Sequence, residues 1–424
     1  MLFTAFELSG DAHAAPVIRA LKAEAPDLRI FAWGGPKMAA AGAEMMGQTC
    51  DDGVMGLGGV AAAFKVHKTI REIRRWAAGV PVVAHVPVDS PAANFPICAS
   101  MRTRGVRVVH LVAPQLWAWG GWRIRKLRRL TDMVLCLLPF EEAWFRERGV
   151  PAQFIGHPVM AKEHDLPSLT TLAEDFPRGS PKILILPGSR SAEIKANLGL
   201  LVRTFMELRN RNGRTEGVIV AAGDVAAELI RRRLSPLPTG LHLTKGELEP
   251  AIHWADMALT VSGTVSLDLT SQMTPMVGVY AVGPVSWLLS KIMLRAPSRL
   301  LPNIVAGERV VPEFVPYLGM RGIGPLRTAA VGLLSDSRSL AQTSAALGHV
   351  RARFSGHDPA REATNAILEI LGRGDAAKKD ELDQDFSGAI DDAKPEEKAR
   401  ERRSRRVEGF SPGARALGKD KRSE

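Results

Sequence analysis

The chain has 424 residues, of which 46% are hydrophobic and 24% charged, the balance of a globular protein with more than one domain. We find no apolar run of the roughly 18 residues that span a bilayer, and Glu7 and Asp11 fall where a signal peptide needs an apolar core. Three cysteines without metal-ligand spacing argue against a disulfide framework or a zinc site. We therefore expect neither a secreted nor a membrane-spanning protein.

The formal net charge is +11. Residues 373–424 contain 14 basic and 13 acidic residues, so almost all of the excess lies in residues 1–372. A basic fold suits anionic partners such as phosphorylated substrates, anionic lipid surfaces or nucleic acid. A general solubility charge explains the excess equally well, so charge alone leaves the partner open.

Apolar strands alternate with small-residue loops and amphipathic helices along most of the chain. The predicted strands cover residues 2–6, 29–33, 80–88, 106–112, 132–138, 182–186, 217–222, 241–243 and 257–261. Alternation of this kind indicates parallel sheets with helices on both faces. Between residues 160 and 180 the alternation pauses. We therefore predict an α/β protein with two Rossmann-like, doubly wound domains that face a cleft.

The predicted boundaries divide the chain into four parts. Residues 1–165 form the first Rossmann-like domain and residues 175–345 the second. Residues 346–372 form a C-terminal helix that packs back across the domains. Residues 373–424 are dense in charges of both signs and contain few large apolar side chains, so we predict a disordered tail there. Ligands of such sheets bind outside the carboxyl ends of the strands, which makes the cleft the expected site.

Two loops of the second domain offer groups for a phosphate. Gly188, Ser189 and Arg190 follow a strand and open a helix, so a close backbone approach, free N–H groups and a guanidinium come together. The loop Ser262–Thr264 has the same place after another strand, and Asp268, one turn into its helix, is placed to hold ribose hydroxyls. A turn that only caps a helix explains either loop alone. Together they indicate a nucleotide diphosphate site, and a dinucleotide dehydrogenase is disfavoured because no G-x-G-x-x-G follows the first strand.

Two strand ends of the first domain carry carboxylates. Glu7 and Asp11 flank Ser9 and Gly10 after the first strand, and Asp89 ends a later one. Both groups would face the cleft, where a carboxylate within reach of a substrate hydroxyl acts as a general base. A helix N-cap is the alternative for Asp11, and a turn residue is the alternative for Asp89.

The motifs of both domains occur in a fixed order. They are AFELSGD at 5–11, GGPKM at 34–38, DSP at 89–91 with Asn94, PQLWAW at 114–119 with Arg123, LPFE at 138–141, GHP at 156–158, LPGSR at 186–190, SGT at 262–264, LPN at 301–303 and PE at 312–313. Taken in series, they make the chain resemble the lipid-A-disaccharide synthase family over roughly residues 1–370. The chain departs from the family pattern at Phe6, Ala92, Ala93, Asp268, Ala281 and Pro316.

The resemblance implies a B-type glycosyltransferase fold and an inverting reaction. Diacylglucosamine would pass from UDP-2,3-diacylglucosamine, bound by the second domain, to 2,3-diacylglucosamine 1-phosphate, bound by the first. The products would be the β-1,6 lipid A disaccharide 1-phosphate and UDP. The implied location is cytoplasmic, peripheral on the inner face of the cytoplasmic membrane. The resemblance implies no cofactor, no metal and no nucleic acid, and a homodimer is a further expected partner.

The resemblance also implies roles for individual residues. Asp89 and Glu7 are catalytic, with Asp89 as the base for the acceptor 6-hydroxyl. The implied substrate-binding residues are Ser9, Gly10, Asp11, Asn94, Arg123, Gly188, Ser189, Arg190, Ser262, Gly263, Thr264, Asp268, Asn303 and Glu313. Arg190 would stabilise charge that develops on UDP. Arg123 or the basic run at 125–129 would meet the acceptor phosphate.

Two other functions stay open at this stage. A UDP-sugar epimerase of the same fold would need no acylated acceptor. A basic protein that binds a membrane surface or nucleic acid through a degenerate site would fit the net charge, although the chain lacks the interleaved aromatic and basic residues of RNA-binding modules. The helix predicted over Val60–Trp76 has an apolar and a basic side, which suits a membrane interface or an ordinary core.

Overall fold

The protein is described from a computed structural model, which covers residues 1–50, 59–284, 287, 298–319 and 322–372. Residues 1–367 form one compact unit, and this unit contains two parallel sheets with helices between their strands. The α/β class predicted from the sequence is confirmed. The predicted disordered tail at 373–424 lies outside the described residues, and the domain boundaries within the unit remain predictions.

The first sheet has seven strands in the order β3-β2-β1-β4-β5-β6-β7. They are β1 (Leu2–Ala5), β2 (Phe31–Gly34), β3 (Glu44–Gln48), β4 (Ala84–Val88), β5 (Arg107–Leu111), β6 (Met133–Cys136) and β7 (Ala152–Phe154). The order reverses between β1 and β4, where Ala5 pairs with Val88. Because these two strands are parallel neighbours, the loops that follow them start side by side.

Eight α-helices of the described chain accompany this sheet and the segment that leaves it. They are α1 (Leu8–Glu24), α2 (Pro36–Ala40), α3 (Gly59–Ala78), α4 (Pro91–Arg102), α5 (Ile124–Leu130), α6 (Glu141–Arg146), α7 (Pro158–Ala161) and α8 (Leu166–Ala173). The amphipathic α3 packs into the core through Ile70, Ile73 and Ala77, which favours the core alternative for this part of the helix. Its Phe64 side chain stays 73% exposed. None of the helices in the described ranges combines the length and the hydropathy of a membrane span.

The second sheet has six strands in the order β10-β9-β8-β11-β12-β13. They are β8 (Lys182–Leu186), β9 (Glu216–Ala221), β10 (Leu241–Lys245), β11 (Met257–Val261), β12 (Met276–Val282) and β13 (Glu313–Leu318). Both faces are covered, because Ile183 and Ile185 of β8 pack into one apolar cluster while Leu184 and Leu186 pack into another. The order reverses again between β8 and β11, so their loops are neighbours as well.

The described helices of the second half are α9 (Ser191–Arg211), α10 (Asp224–Arg233), α11 (Leu248–Trp254), α12 (Val265–Ser271), α13 (Leu301–Ala306), α14 (Gly324–Leu334), α15 (Ser337–Ala352) and a last helix at 359–372. The chain after α15 returns to the first sheet. There Phe354 and His357 stack edge-on against Phe154 of β7, with ring centroids 6.0 and 4.6 Å apart. These contacts tie the two halves together at the end of β7, just before the motif GHP at 156–158.

Candidate active site

The loops after β1 and β4 bring the two predicted catalytic carboxylates together. The Ser90 hydroxyl donates to the Glu7 carboxylate at 3.1 Å. Asp89 and Ser90 both have left-handed backbones, with φ of 47° and 41°, a strained conformation for residues other than glycine. Burial raises the pKa of Asp89, and the Glu7 charge adds to that rise. The first sheet therefore presents a basic carboxylate at its topological switch point.

Arg190 reaches this pair from the second sheet. Its Nη2 lies 3.8 Å from the Glu7 carboxylate, and its Nη1 donates to Glu193 at 3.1 Å. The side chain is 55% exposed, so these ion pairs contribute little to folding. The Arg190–Glu7 pair shows instead that the β8 loop of one sheet and the β1 and β4 loops of the other border the same site.

The β8 loop is closed on itself by Glu193. One carboxylate oxygen accepts from the backbone N–H groups of Ser189 at 3.2 Å and Arg190 at 3.3 Å. Gly188 has a φ of 110°, and a Cβ built on it would lie 2.7 Å from the Cβ of Glu193. The N–H groups of these two residues are therefore not free as expected, because the carboxylate of Glu193, in the first turn of α9, accepts from both. The guanidinium of Arg190 remains the predicted anion-binding group of this loop.

We expect Gly188→Ala to weaken binding of UDP and to lower stability, because the new methyl group clashes with Glu193 in a backbone conformation that costs about 1–3 kcal/mol. Calorimetric titration with UDP and thermal melting measure both effects. The matched control is Gly223→Ala in the loop after β9, where a Cβ meets nothing within 4 Å. Equal UDP affinity in the two variants would contradict a role for the β8 loop.

The β11 loop lies beside the β8 loop. The Val261 side chain is 3.4 Å from the place where a Cβ on Gly188 would stand. Within the β11 loop, Ser262 donates to the carbonyl of Arg299 at 3.0 Å, and the carbonyl of Gly263 accepts from the Ser266 hydroxyl at 2.7 Å. Both predicted phosphate loops are thus adjacent.

Two more residues of this predicted site follow along the chain. Thr264 is exposed. Asp268 lies in α12, where burial, together with the Glu249 charge and against the Lys162 charge, raises its pKa to about 6. The charged neighbours of Asp268 therefore differ from those of the Glu7 and Arg190 pair.

Asp11 has a partner inside the fold. Its carboxylate is 1% exposed and accepts from the backbone N–H groups of residues 35, 37 and 38 at 2.9–3.1 Å, at the start of α2. Nor does it cap its own helix, since the N-cap of α1 is Glu7. The Asp11 carboxylate thus holds the start of α2, and its predicted substrate contact stays a prediction. Ser9 is exposed, and Gly10 lets α1 approach β1, since a Cβ there would lie 3.2 Å from that of Ala5.

Asn303 and Glu313 are also committed to the fold. Asn303 donates to the Glu313 carboxylate at 2.9 Å and to a backbone carbonyl, and its oxygen accepts from two N–H groups of the chain before β13. Glu313 accepts from the N–H groups of Arg299 and Leu300 at 2.7 and 3.2 Å. Both side chains are buried. They hold the segment that accepts the Ser262 hydroxyl and so support the β11 loop, while their predicted substrate contacts stay predictions.

Asn94 is fully buried in α4 and donates to the backbone carbonyls of Val88 and Asp89, so it supports the β4 loop. Its predicted substrate contact stays a prediction. Arg123 stacks on Trp119, with its guanidinium carbon 4.1 Å from the ring centroid. In the described part of the chain, no contact links Arg123 to Glu7 or Asp89. The structure thus places it in a separate aromatic and basic loop.

Sequence reasoning did not assign three residues that shape the site. Ser90 binds Glu7, and Glu193 holds the β8 loop; the spacing of Glu193 from the helix start is that of a capping box. Glu141 is 2% exposed and accepts from Trp117 Nε1 at 2.9 Å and Leu138 N at 3.1 Å. Burial raises the pKa of Glu141 to about 7, and the Asp89 charge contributes to that rise. The signal for Glu141 was its place in a motif that directly follows a strand.

Solved structures share the fold at low sequence identity. The spinosyn rhamnosyltransferase SpnG, complexed with thymidine diphosphate, matches with a TM-score of 0.56 and 11% identity over 87% of this chain and 99% of that chain. The UDP-GlcNAc 2-epimerase from Neisseria meningitidis, bound to UDP-GlcNAc, matches with a TM-score of 0.54 and 12% identity over 88% and 99%. The fold is therefore the two-sheet α/β fold that B-type glycosyltransferases share with sugar-nucleotide epimerases.

Comparison with sequence relatives identifies the family to which the chain belongs. The family model described as Lipid-A-disaccharide synthetase matches residues 1–347. The lipid-A-disaccharide synthases of Solibacter usitatus and Myxococcus xanthus are 33% and 30% identical to this chain, over 88% of it and 97% and 98% of those proteins. The chain belongs to the lipid-A-disaccharide synthetase family, and it is a glycosyltransferase of lipid A biosynthesis. The predicted family, fold and enzyme class are confirmed.

Proposed function

We propose that the protein transfers diacylglucosamine from UDP-2,3-diacylglucosamine to the 6-hydroxyl of 2,3-diacylglucosamine 1-phosphate, with inversion and release of UDP. Family membership supports a nucleotide sugar and a lipid acceptor as substrates. One observation carries the residue assignment: Glu7, next to Asp89, meets Arg190 of the other sheet at 3.8 Å. A base and an anion-binding cation thus border the same space, as an inverting displacement requires.

Asp89 is the proposed base. Inversion needs one carboxylate opposite the leaving group, within reach of the attacking hydroxyl. Partial burial and the Glu7 charge raise the pKa of Asp89, and a higher pKa makes its carboxylate a better proton acceptor. In this assignment Glu7 keeps the Ser90 hydroxyl and the Asp89 turn in place and supplies the negative charge that raises basicity.

The donor side belongs to the second sheet. Arg190 would bind the diphosphate through its planar guanidinium, which matches phosphate oxygens with two parallel hydrogen bonds. The β11 loop, with Ser262, Gly263 and Thr264, would supply further donors, and Asp268 would accept from ribose hydroxyls. Charge that develops on the departing UDP is stabilised by the same groups. The acceptor phosphate would meet Arg123 or the basic side chains of α5.

Turnover with the defined lipid substrates tests this function directly. Purified protein, UDP-diacylglucosamine and the monophosphate acceptor should give disaccharide 1-phosphate and UDP in equal amounts, read by mass spectrometry. Conversion of the UDP-sugar without any acceptor would favour the epimerase alternative. Salt-dependent binding to DNA without sugar transfer would favour the nucleic-acid alternative.

We further propose that the protein binds peripherally to the cytoplasmic face of the membrane, where both acylated substrates reside. The loop before α5 supports this: Trp119 is 47% and Trp122 81% exposed. The following helix has the sequence IRKLRRL, whose basic side chains suit anionic lipid headgroups. Exposed tryptophan beside lysine and arginine is typical of a membrane interface.

Trp122→Ser should therefore weaken binding to vesicles that contain anionic lipid by about 5-fold, the effect of roughly 1 kcal/mol from an indole that enters the interface. Vesicle sedimentation measures the change. The control is Val225→Ser, which removes a 74% exposed apolar side chain from α10. If both variants bind vesicles like the wild type, the loop before α5 is not the membrane contact.

A further inference from the structure

The left-handed turn at Asp89 is held from behind by a chain of buried hydrogen bonds. Asn94 donates through Nδ2 to the carbonyl oxygens of Val88 at 3.2 Å and Asp89 at 2.8 Å. Its Oδ1 accepts from the Thr4 hydroxyl of β1 at 2.7 Å. The Thr4 oxygen lies 2.8 Å from Nε2 of His85 in β4. The chain thus leads from His85 through two side chains to the backbone of the proposed base.

The direction of each hydrogen bond follows from the groups involved. Carbonyl oxygens only accept, so the amide nitrogen of Asn94 faces the backbone and its oxygen faces Thr4. Thr4 has one hydroxyl proton and gives it to Asn94, so Nε2 of His85 must donate. Burial lowers the pKa of His85 to about 3, which leaves a neutral ring whose one proton is on Nε2. All three side chains are fully buried, so water does not compete for these bonds.

We propose that His85 and Thr4 are positioning residues for the base: they orient the Asn94 amide, which fixes the Asp89 carbonyl and so the direction of its carboxylate. A strained left-handed residue persists only where its surroundings over-determine it. The proposal rests on the proposed function, because it takes Asp89 as the base. Neither His85 nor Thr4 lies in a motif that carried the family resemblance.

The second ring nitrogen of His85 supports a functional reason for this side chain. In the described part of the chain, Nδ1 is buried without a hydrogen-bond partner, which destabilises the fold. An apolar side chain in β4 would avoid that loss. Within the described residues, the bond from Nε2 to Thr4 is therefore the hydrogen bond that this ring makes.

The test compares His85→Leu and Thr4→Val with the wild type in the two-substrate assay. We expect kcat to fall about 10-fold in each, as for other residues that orient a catalytic group, while both KM values and the UDP Kd stay within about 2-fold. Thr4→Ser keeps the hydroxyl and should restore most of kcat. The melting temperature of His85→Leu should stay within about 3 °C, because one hydrogen bond and one unpaired nitrogen are removed together.

His110→Leu is the matched control, since His110 is fully buried in the neighbouring β5 and takes no part in the chain from His85; its kcat should not change. Unchanged kcat in His85→Leu and Thr4→Val overturns the proposal, and so does an equal loss in His110→Leu or in Thr4→Ser. If His85→Leu does not fold, the comparison of Thr4→Val with Thr4→Ser decides. Absence of sugar transfer by the wild type would reject the proposed function instead, which keeps the two failures distinct.

Discussion

Asp89→Asn is expected to lower turnover by about 10²- to 10⁴-fold, the usual effect of a lost general base. The variant should fold normally, because asparagine tolerates the left-handed backbone better than most residues and because Asn94 holds the Asp89 carbonyl, not its carboxylate. Binding of UDP should stay near normal, since the proposed diphosphate contact is made by Arg190. The measurements are kcat with both lipid substrates, calorimetry with UDP and thermal melting.

The pH dependence of wild-type turnover tests whether Asp89 is the base that Asp89→Asn removes. The base works only when deprotonated, so turnover falls as the pH drops through its pKa. Burial and the Glu7 charge raise that pKa, so the acid limb should lie above the pH at which an ordinary aspartate is protonated. A lost general base lowers the rate far more than about 2-fold. If Asp89→Asn keeps more than roughly half the wild-type rate, another group takes the proton.

The sequence predicted most strands of both sheets, the edge strand β10 among them, but not the edge strands β3, β7 and β13 or the interior strand β12. β1 and β8 are buried on both faces, so they read as continuous apolar runs. β3 alternates exposed and half-buried residues, and β7 has three residues; neither pattern separates a strand from a loop. The central strands are the ones whose ends carry the site, so the fold and the position of the site could both be predicted.

The sequence could not predict whether each polar side chain near the site contacts a ligand or the protein's own backbone. A carboxylate after a strand can face a ligand or accept backbone N–H groups of a distant loop, and its residue type is the same in either case. Asp11 binds the start of α2, and Glu313 binds the chain before α13. Such partners are set by tertiary packing, and burial of these side chains, which the sequence does not show, separates them from Glu7 and Arg190.

Arg190→Ala should weaken UDP binding by about 10- to 150-fold, the equivalent of about 1.5–3 kcal/mol for hydrogen bonds to a charged group. The effect should come from the guanidinium alone, because Glu193 still accepts from the N–H groups of residues 189 and 190 and keeps the loop closed. Arg190→Lys should recover only part of the affinity, since an ammonium lacks the planar pair of donors. Calorimetric titration with UDP measures all three proteins.

The matched control for this prediction lies on the same helix. Arg203 of α9 is exposed and donates to the carbonyl of Gly199 at 3.0 Å, so Arg203→Ala removes an equal charge without touching the strand ends. If both alanine variants lose UDP affinity equally, the general positive charge binds the nucleotide; if neither does, the diphosphate lies elsewhere. A loss confined to Arg190→Ala favours the β8 loop, because only there does an arginine of the second sheet come within 3.8 Å of Glu7 in the described part of the chain.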